Sequence, residues 1–250
     1  MALSDVIGGL RGAVAFLTRM PIRTEEADWD RFRTFPAAFP LVAYLIGALA
    51  ALPFVVAAPT ATVAFGYLLV LIVVVGIPHL DGVADLGDAA AAHGSEAKKR
   101  ALKDTTTGVG AIVAVAVVVA GLLVAAIELA ALPARAALGL VVAAEVGAKL
   151  GIATVVCLGT ASHEGLGSAF TRGAEPILLV GPVLVSLPVL LIGPFPAAAA
   201  VVAVGPLVAI GLLRWANRTL GGVSGDIFGA TNELARVFGL HVGVIVWTLS

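Results

Sequence analysis

The sequence predicts an all-α, polytopic membrane protein of about six to seven transmembrane helices with a cytoplasm-facing active site. Three observations predict it: an apolar composition, apolar runs of spanning length, and connections whose charge alternates along the chain. Of 250 residues, 60% are hydrophobic and 12% charged, and the mean hydropathy is +1.08. A soluble domain carries about 25% charged residues, so much of the polar surface a water-facing globule needs is missing. The net charge of −1 argues against nucleic acid as a partner. Cys157 is the only cysteine, which excludes a disulfide framework and a cysteine metal cage.

The stretch Val6–Leu17 is interrupted by Arg11 and flanked by Arg19 and Arg23, with no small-residue cleavage site after it. It reads as an interfacial helix and not as a cleaved leader. Six apolar runs of spanning length follow: Pro36–Ala58, Ala61–Pro78, Gly108–Ala130, Arg135–Leu158, Pro176–Gly193 and Pro196–Leu213. The tail His241–Ser250 is short, a half-buried helix or the end of a seventh span. Prolines at 36, 78, 133, 176, 194 and 196 suit helix starts and turns. The Val- and Ile-rich runs are apolar throughout, which excludes the alternation of a barrel. The chain thus reads as one membrane domain over residues 1–250. Residues 1–35 form an interfacial helix and loop, and 36–250 a bundle with polar loops at 79–107, 159–175 and 214–236.

The connections fall into two sets. Ala58–Ala61, Ala131–Arg135 and Gly193–Pro196 are short, with Arg135 their only base. The others are long and basic: residues 19–35 hold Arg19, Arg23, Arg31 and Arg33, and residues 79–107 hold Lys98, Lys99, Arg100 and Lys103. Residues 149–175 hold Lys149 and Arg172, and residues 214–236 hold Arg214, Arg218 and Arg236. Lys and Arg are retained on the cytoplasmic side, so the expectation is a multi-pass cell-membrane protein whose polar segments meet on the cytoplasmic face.

One of those segments is HLDGVADLGD, His79–Asp88. Asp81, Asp85 and Asp88 stand at i, i+4 and i+7, so on a helix they share a face and repel. With no soft ligands nearby, a hard divalent cation, Mg²⁺ or Mn²⁺, is the natural compensation. Gly82 and Gly87 remove bulk between the acids and would admit a phosphate or another helix. Asp104, in KDTTTG, offers a fourth carboxylate, although an Asp before threonines also caps helices. Mg²⁺ held by few carboxylates completes its shell with phosphate oxygens, which points to phosphoryl transfer. His79 is placed to touch phosphate or metal, or to serve structure alone. Further polar islands are SHEGLG with His163 and Glu164, GGVSGDIFGATNE with Asp226 and Glu233 at i and i+7, and FLTRMP with Arg19 at the membrane surface.

At these residues the chain resembles the cobalamin synthase family, the adenosylcobinamide-GDP ribazoletransferases. FLTRMP at Phe16–Pro21, FPLVAYLIGA at Phe39–Ala48, HLDGVADLGDA at His79–Ala89, EGLG at Glu164–Gly167 and GGVSGDIFGA at Gly221–Ala230 match its motifs in order, with Glu233 in the trailing acidic position. KDTTTGVGA departs from the family's KDSRxGTxG: Lys103, Asp104 and Gly108 align, while Thr106 replaces an arginine and Val109 a threonine. Ala89 stands where the family has glycine. DGxxD also resembles the CDP-alcohol phosphotransferase signature, but the arginine and the trailing GxxxDxxxD half of that pattern are missing.

The resemblance implies that a ribose hydroxyl of α-ribazole, or of its 5′-phosphate, attacks the cobinamide-linked phosphorus of adenosylcobinamide-GDP and expels GMP. Asp81, Asp85, Asp88 and Asp104 would hold the metal, and Asp104 or Asp88 would accept the hydroxyl proton. Arg19, Lys103 and Arg218 would contact phosphate; His79, Gly82, Glu164, Asp226 and Glu233 complete the substrate-binding set, the last two holding a second metal or the ribazole. The rival readings are a CDP-alcohol-type phosphotransferase acting on lipids and an ion-coupled transporter. A transporter would place polar residues near the middle of the bilayer and show internal repeats. The oligomeric state stays open.

Overall fold

In lipid, a backbone polar group has to find its partner within its own segment, and helices satisfy this residue by residue. The computed structural model describes residues 2–102, 104 and 106–250, and among these the regular elements are all helical. An N-terminal pair, α1 (Leu3–Leu17) and α2 (Glu26–Arg33), precedes α3 (Ala38–Ala50), which ends in a 3₁₀ turn at Leu52–Val55. Then come α4 (Thr60–Val75), α5 (Pro78–Ala91), the short α6 (Ser95–Ala101), α7 (Val109–Ala130) and α8 (Ala134–Leu158). The second half holds α9 (Leu166–Thr171), α10 (Val180–Ser186), α11 (Val189–Ile192), α12 (Ala197–Thr219) and α13 (Gly225–Leu249). Four segments are long and apolar enough to cross a membrane: Ala38–Val55, α7, α8 and α12.

α8 is the axis of the bundle, its apolar window wholly buried by its neighbours. Small residues let those neighbours approach, as in membrane helix pairs generally. A Cβ on Gly151 would stand 2.8 Å from the Gly205 carbonyl of α12, and one on Gly47 of α3 only 2.9 Å from Val142 Cα.

α4 and α5 pass the spanning test only as a pair, and they meet at 98°. Gly76, at φ +79°, stops α4, and Pro78 opens α5 at a position whose N–H has no partner anyway. α5 therefore turns away from α4 and runs across one end of the bundle, at the first turns of α7 and α13. It crosses α13 at Gly82 and Gly229 and α7 at Gly87 and Gly110.

The two ends of the bundle differ as the connections predicted. Pro133, Arg135, Gly193, Pro194 and Trp247 line one cavity, so the short α7–α8 and α11–α12 connections and the end of α13 share one end. Lys99, Ser162, His163, Glu164, Ser224 and Asp226 line another cavity and gather the polar segments.

Three expectations need correction. The span expected at Pro176–Gly193 is a shorter apolar run, Pro176–Ile192, made of a 3₁₀ turn, α10 and α11, with Pro188 in the turn between the last two. Residues 214–236 are not a loop: α12 continues to Thr219, and a single 25-residue helix, α13, starts at Gly225 and includes the supposed short tail. Hydropathy averaging missed it because Glu233 and Arg236 count as solvated charge, yet both are buried. Lys149, counted among the loop bases, is likewise fully buried within α8.

Candidate functional site

α5 presents its acids as the i, i+4, i+7 spacing requires. Asp81 is exposed, while Asp85 and Asp88 are partly buried. Across from them lies the first turn of α13. A Cβ on Gly82 would stand 2.7 Å from the Asp226 carbonyl, so only glycine lets Asp226 come this close to α5. Ser224 Oγ donates to the Asp226 carboxylate at 3.0 Å. Burial pushes the Asp85 carboxyl up to about 6, and the negative charges of Asp226, Asp81 and Asp88 add to it.

Asp88 has a second engagement. Its two oxygens accept from the backbone N–H groups of Gly108 (2.7 Å) and Ala111 (2.8 Å), so it caps the N-terminus of α7 from another helix. It can meet a cation only through its remaining lone pairs. At the other end of α5, Lys98 Nζ donates to the carbonyls of Ala89 and Ala90, where a cation suits the helix C-terminus.

Asp104 is exposed and accepts from the backbone N–H (2.9 Å) and hydroxyl (2.8 Å) of Thr106, which hold its carboxyl below the usual range. Thr106, where an arginine was expected, therefore closes a local Asx turn. Arg19 lies against the α4–α5 bend: its N–H donates to the Val74 carbonyl at 2.7 Å, and its side chain lies where a Cβ on Gly76 would be, 2.8 Å from Cδ. Arg218 is exposed in the last turn of α12. Lys103 lies outside the described residues.

The loop after α8 docks on the α12–α13 connection. Val223 N donates to the Thr160 carbonyl (2.8 Å) and Ser162 N to the Val223 carbonyl (3.0 Å). Gly222, at φ +145°, would clash through a Cβ with the Thr160 carbonyl, which explains the GGVSG run. This docking leaves a cavity of about 590 Å³ lined by Lys99, Leu102, Ser162, His163, Glu164, Leu220, Ser224 and Asp226. Glu164 is paired with Arg172 at its solvent edge.

Glu233 lies elsewhere. It shares the face of Asp226 but sits two turns deeper, about 10 Å along the helix, with its side chain 4% exposed. Both its oxygens accept from Arg236 Nη1, at 2.6 and 2.5 Å. Arg236 also donates to Glu145 through Nε (2.5 Å) and Nη2 (3.2 Å), and Lys149 Nζ donates to Glu145 at 3.1 Å. Asn232 Nδ2 joins Glu233 Oε1 (3.0 Å) to His79 Nδ1 (3.2 Å), linking this buried network to the start of α5. The expected pairing of Asp226 with Glu233 is therefore not met: one lines the open cavity, the other balances charge inside the bundle. Sequence reasoning missed Glu145 and counted Lys149 as a loop base, although a Glu-xxx-Lys pair inside a spanning run was a readable signal.

Among the described residues, no three His, Cys, Asp or Glu side chains are grouped so as to hold a metal ion unaided. The donor set nonetheless fits Mg²⁺, which is commonly bound by one or two carboxylates with phosphate and water completing the octahedron. Asp81, Asp85 and Asp226 offer hard oxygens only, and none takes part in an ion pair among the described residues. Burial is the main cause of the raised Asp85 carboxyl, and a cation would relieve the repulsion from Asp226, Asp81 and Asp88 that adds to it.

Fold and site together define a helical membrane protein with an acid-lined recess at the polar end of its bundle. Residues 9–244 match the cobalamin-5-phosphate synthase family, and the chain belongs to that family. It is 49% identical to a protein from Halorubrum lacusprofundi, over 97% of this chain and 99% of the relative. It is 42% identical to one from Haloquadratum walsbyi, over 98% and 100% of the two chains, and 57% identical to one from Halobacterium salinarum, over 76% and 97%. All three carry the name adenosylcobinamide-GDP ribazoletransferase. No solved structure matches the chain.

Proposed function

We propose that this protein joins adenosylcobinamide-GDP to α-ribazole, or to its 5′-phosphate, with release of GMP, in the late nucleotide-loop assembly step of cobalamin biosynthesis. Family membership over nearly the whole chain supports the reaction. The observation that carries the site is the crossing of α5 and α13, where Gly82 brings Asp226 against the Asp81–Asp85 face beside the 590 Å³ cavity.

Asp81 and Asp85 would hold Mg²⁺, with Mn²⁺ able to replace it, Asp226 facing them and phosphate and water completing the shell; Asp88 keeps α5 in register with α7. When bound, the cation supplies charge neutralisation at the diphosphate. The cavity accepts a substrate beside these carboxylates, with Lys99 on its wall and Arg19 and Arg218 as exposed bases for phosphate. A carboxylate outside the metal set takes the proton of the attacking hydroxyl; Asp104, fixed by Thr106, suits this role. We place the polar end at the cytoplasmic face of the cell membrane because the exposed Lys and Arg residues gather there.

Membranes containing the protein, given adenosylcobinamide-GDP, α-ribazole and Mg²⁺, are expected to release GMP. EDTA should stop release, and added Mg²⁺ should restore it. Asp81→Asn should abolish transfer while the protein still inserts. GMP release undiminished by Asp81→Asn would overturn the site assignment, and no release from the wild-type protein would overturn the reaction.

A further inference from the structure

The chain of hydrogen bonds that begins at Glu145 ends on the imidazole of His79. Glu233, held by Arg236 through both oxygens, is an ionised acceptor. Its Oε1 lies 3.0 Å from one terminal atom of the Asn232 amide. That atom has to be the nitrogen, because an amide oxygen at this distance would set two buried acceptors against each other. The amide orientation is thereby fixed by its surroundings. The same nitrogen lies 3.2 Å from His79 Nδ1 and has a second hydrogen to give. A direct bond from His79 to Glu233 is too long at 3.8 Å. Nδ1 therefore accepts, and the ring proton sits on Nε2.

Nε2 is the free edge of the ring. Among the described residues nothing pairs with it, and the side chain is 13% exposed. The His79 backbone packs on Gly229 at the crossing that also seats Gly82 on Asp226, so the ring belongs to the α5–α13 crossing. We infer that Asn232 is a positioning residue that fixes His79 as an Nε2–H hydrogen-bond donor to an anionic phosphate oxygen of the diphosphate-bearing substrate. The inference rests on the phosphoryl-transfer reading for its ligand, while the tautomer rests on the Glu233–Asn232–His79 geometry alone.

The test uses the full-length protein in lipid nanodiscs, ¹⁵N-labelled at histidine, with the His79 signal identified by its loss in His79→Gln. The wild-type ring should show a protonated Nε2 and a bare Nδ1. Asn232→Leu should give a mixture of tautomers and lower kcat/KM roughly tenfold, as loss of one hydrogen bond to a charged group does. His79→Gln keeps a donor near the Nε2 position and should retain more activity than His79→Asn, whose amide reaches only the Nδ1 position. In the His79→Gln background, Asn232→Leu should cost less than threefold, because an amide N–H needs no tautomer to be chosen.

A wild-type proton on Nδ1 overturns the proposal whether or not transfer is observed. So does equal loss in His79→Gln and His79→Asn, a comparison that stands even if Asn232→Leu fails to fold. A correct tautomer in a protein without GMP release would overturn the phosphate role and, separately, the proposed reaction.

Discussion

Glu145→Gln is the sharpest perturbation of the buried network. Glu145 and Glu233 contribute two negative charges, Arg236 and Lys149 two positive ones, and all four side chains are 0–4% exposed. The substitution leaves the sum at +1. It takes the carboxylate from three donors, Arg236 Nε, Arg236 Nη2 and Lys149 Nζ. Neutral hydrogen bonds between membrane helices average only about 0.6 kcal/mol, so bond loss alone would be mild. The uncompensated charge dominates, and breaking a buried pair costs about 3–5 kcal/mol, or roughly two to three and a half orders of magnitude in the unfolding equilibrium. That is a large part of the stability of an ordinary protein, about 5–15 kcal/mol. Adding Lys149→Met returns the sum to zero and should recover more than half of the loss. The assay is a reversible denaturant titration in micelles, followed by fluorescence of Trp29, Trp215 and Trp247, and analysed as a double-mutant cycle. Glu145→Gln within about 1 kcal/mol of the wild type, or a double variant less stable than the single one, would refute the charge-balance account.

Two further outcomes follow from the recess. Asp88→Ala should remove the cap of α7 and cost about 1–2 kcal/mol of stability in the same titration, with Mg²⁺ affinity falling far less than in Asp81→Asn; equal affinity losses would make Asp88 chiefly a metal ligand. Asp85 has its carboxyl raised to about 6, so its ionised form opposes folding and stability falls as pH rises from the ordinary carboxylate range through 6. Cation binding needs that same ionised form, so Mg²⁺ affinity by calorimetry should be roughly tenfold weaker at pH 5 than at pH 7.5, and Asp85→Asn should flatten the difference.

The helical membrane class was legible because it depends on composition and run length, which no tertiary contact can alter. The acid face of α5 was legible for the same reason: i, i+4 and i+7 is a local rule. What averaging could not show was that a charged segment can cross the bundle as well. Glu233 and Arg236 read as loop because Glu145, the distant partner that Arg236 finds on α8, is 91 positions away in the chain. A transporter was expected to place polar residues within the bilayer, and Glu145, Lys149, Glu233 and Arg236 are charged residues buried inside the bundle. The distinction now lies in their state, since these four charges are closed on one another, whereas the acids of the recess are open. The role of Asp88 was hidden too, because a cap supplied by a different helix leaves no spacing to read. Thr106 was flagged as a departure, and its bond to Asp104 explains its local use without supplying the missing positive charge.

The charges in the bundle come in a particular arrangement. Glu145 and Lys149 stand one turn apart on α8, and Glu233 and Arg236 three residues apart on α13. Each helix therefore carries its own counter-ion, so neither brings an unbalanced charge of this set to the helix pair. The bonds from Arg236 to Glu145 join two pairs that are already neutral. The same four residues thus serve at two scales: as a private pair within each helix, and as one shared lock that aligns α13 with α8.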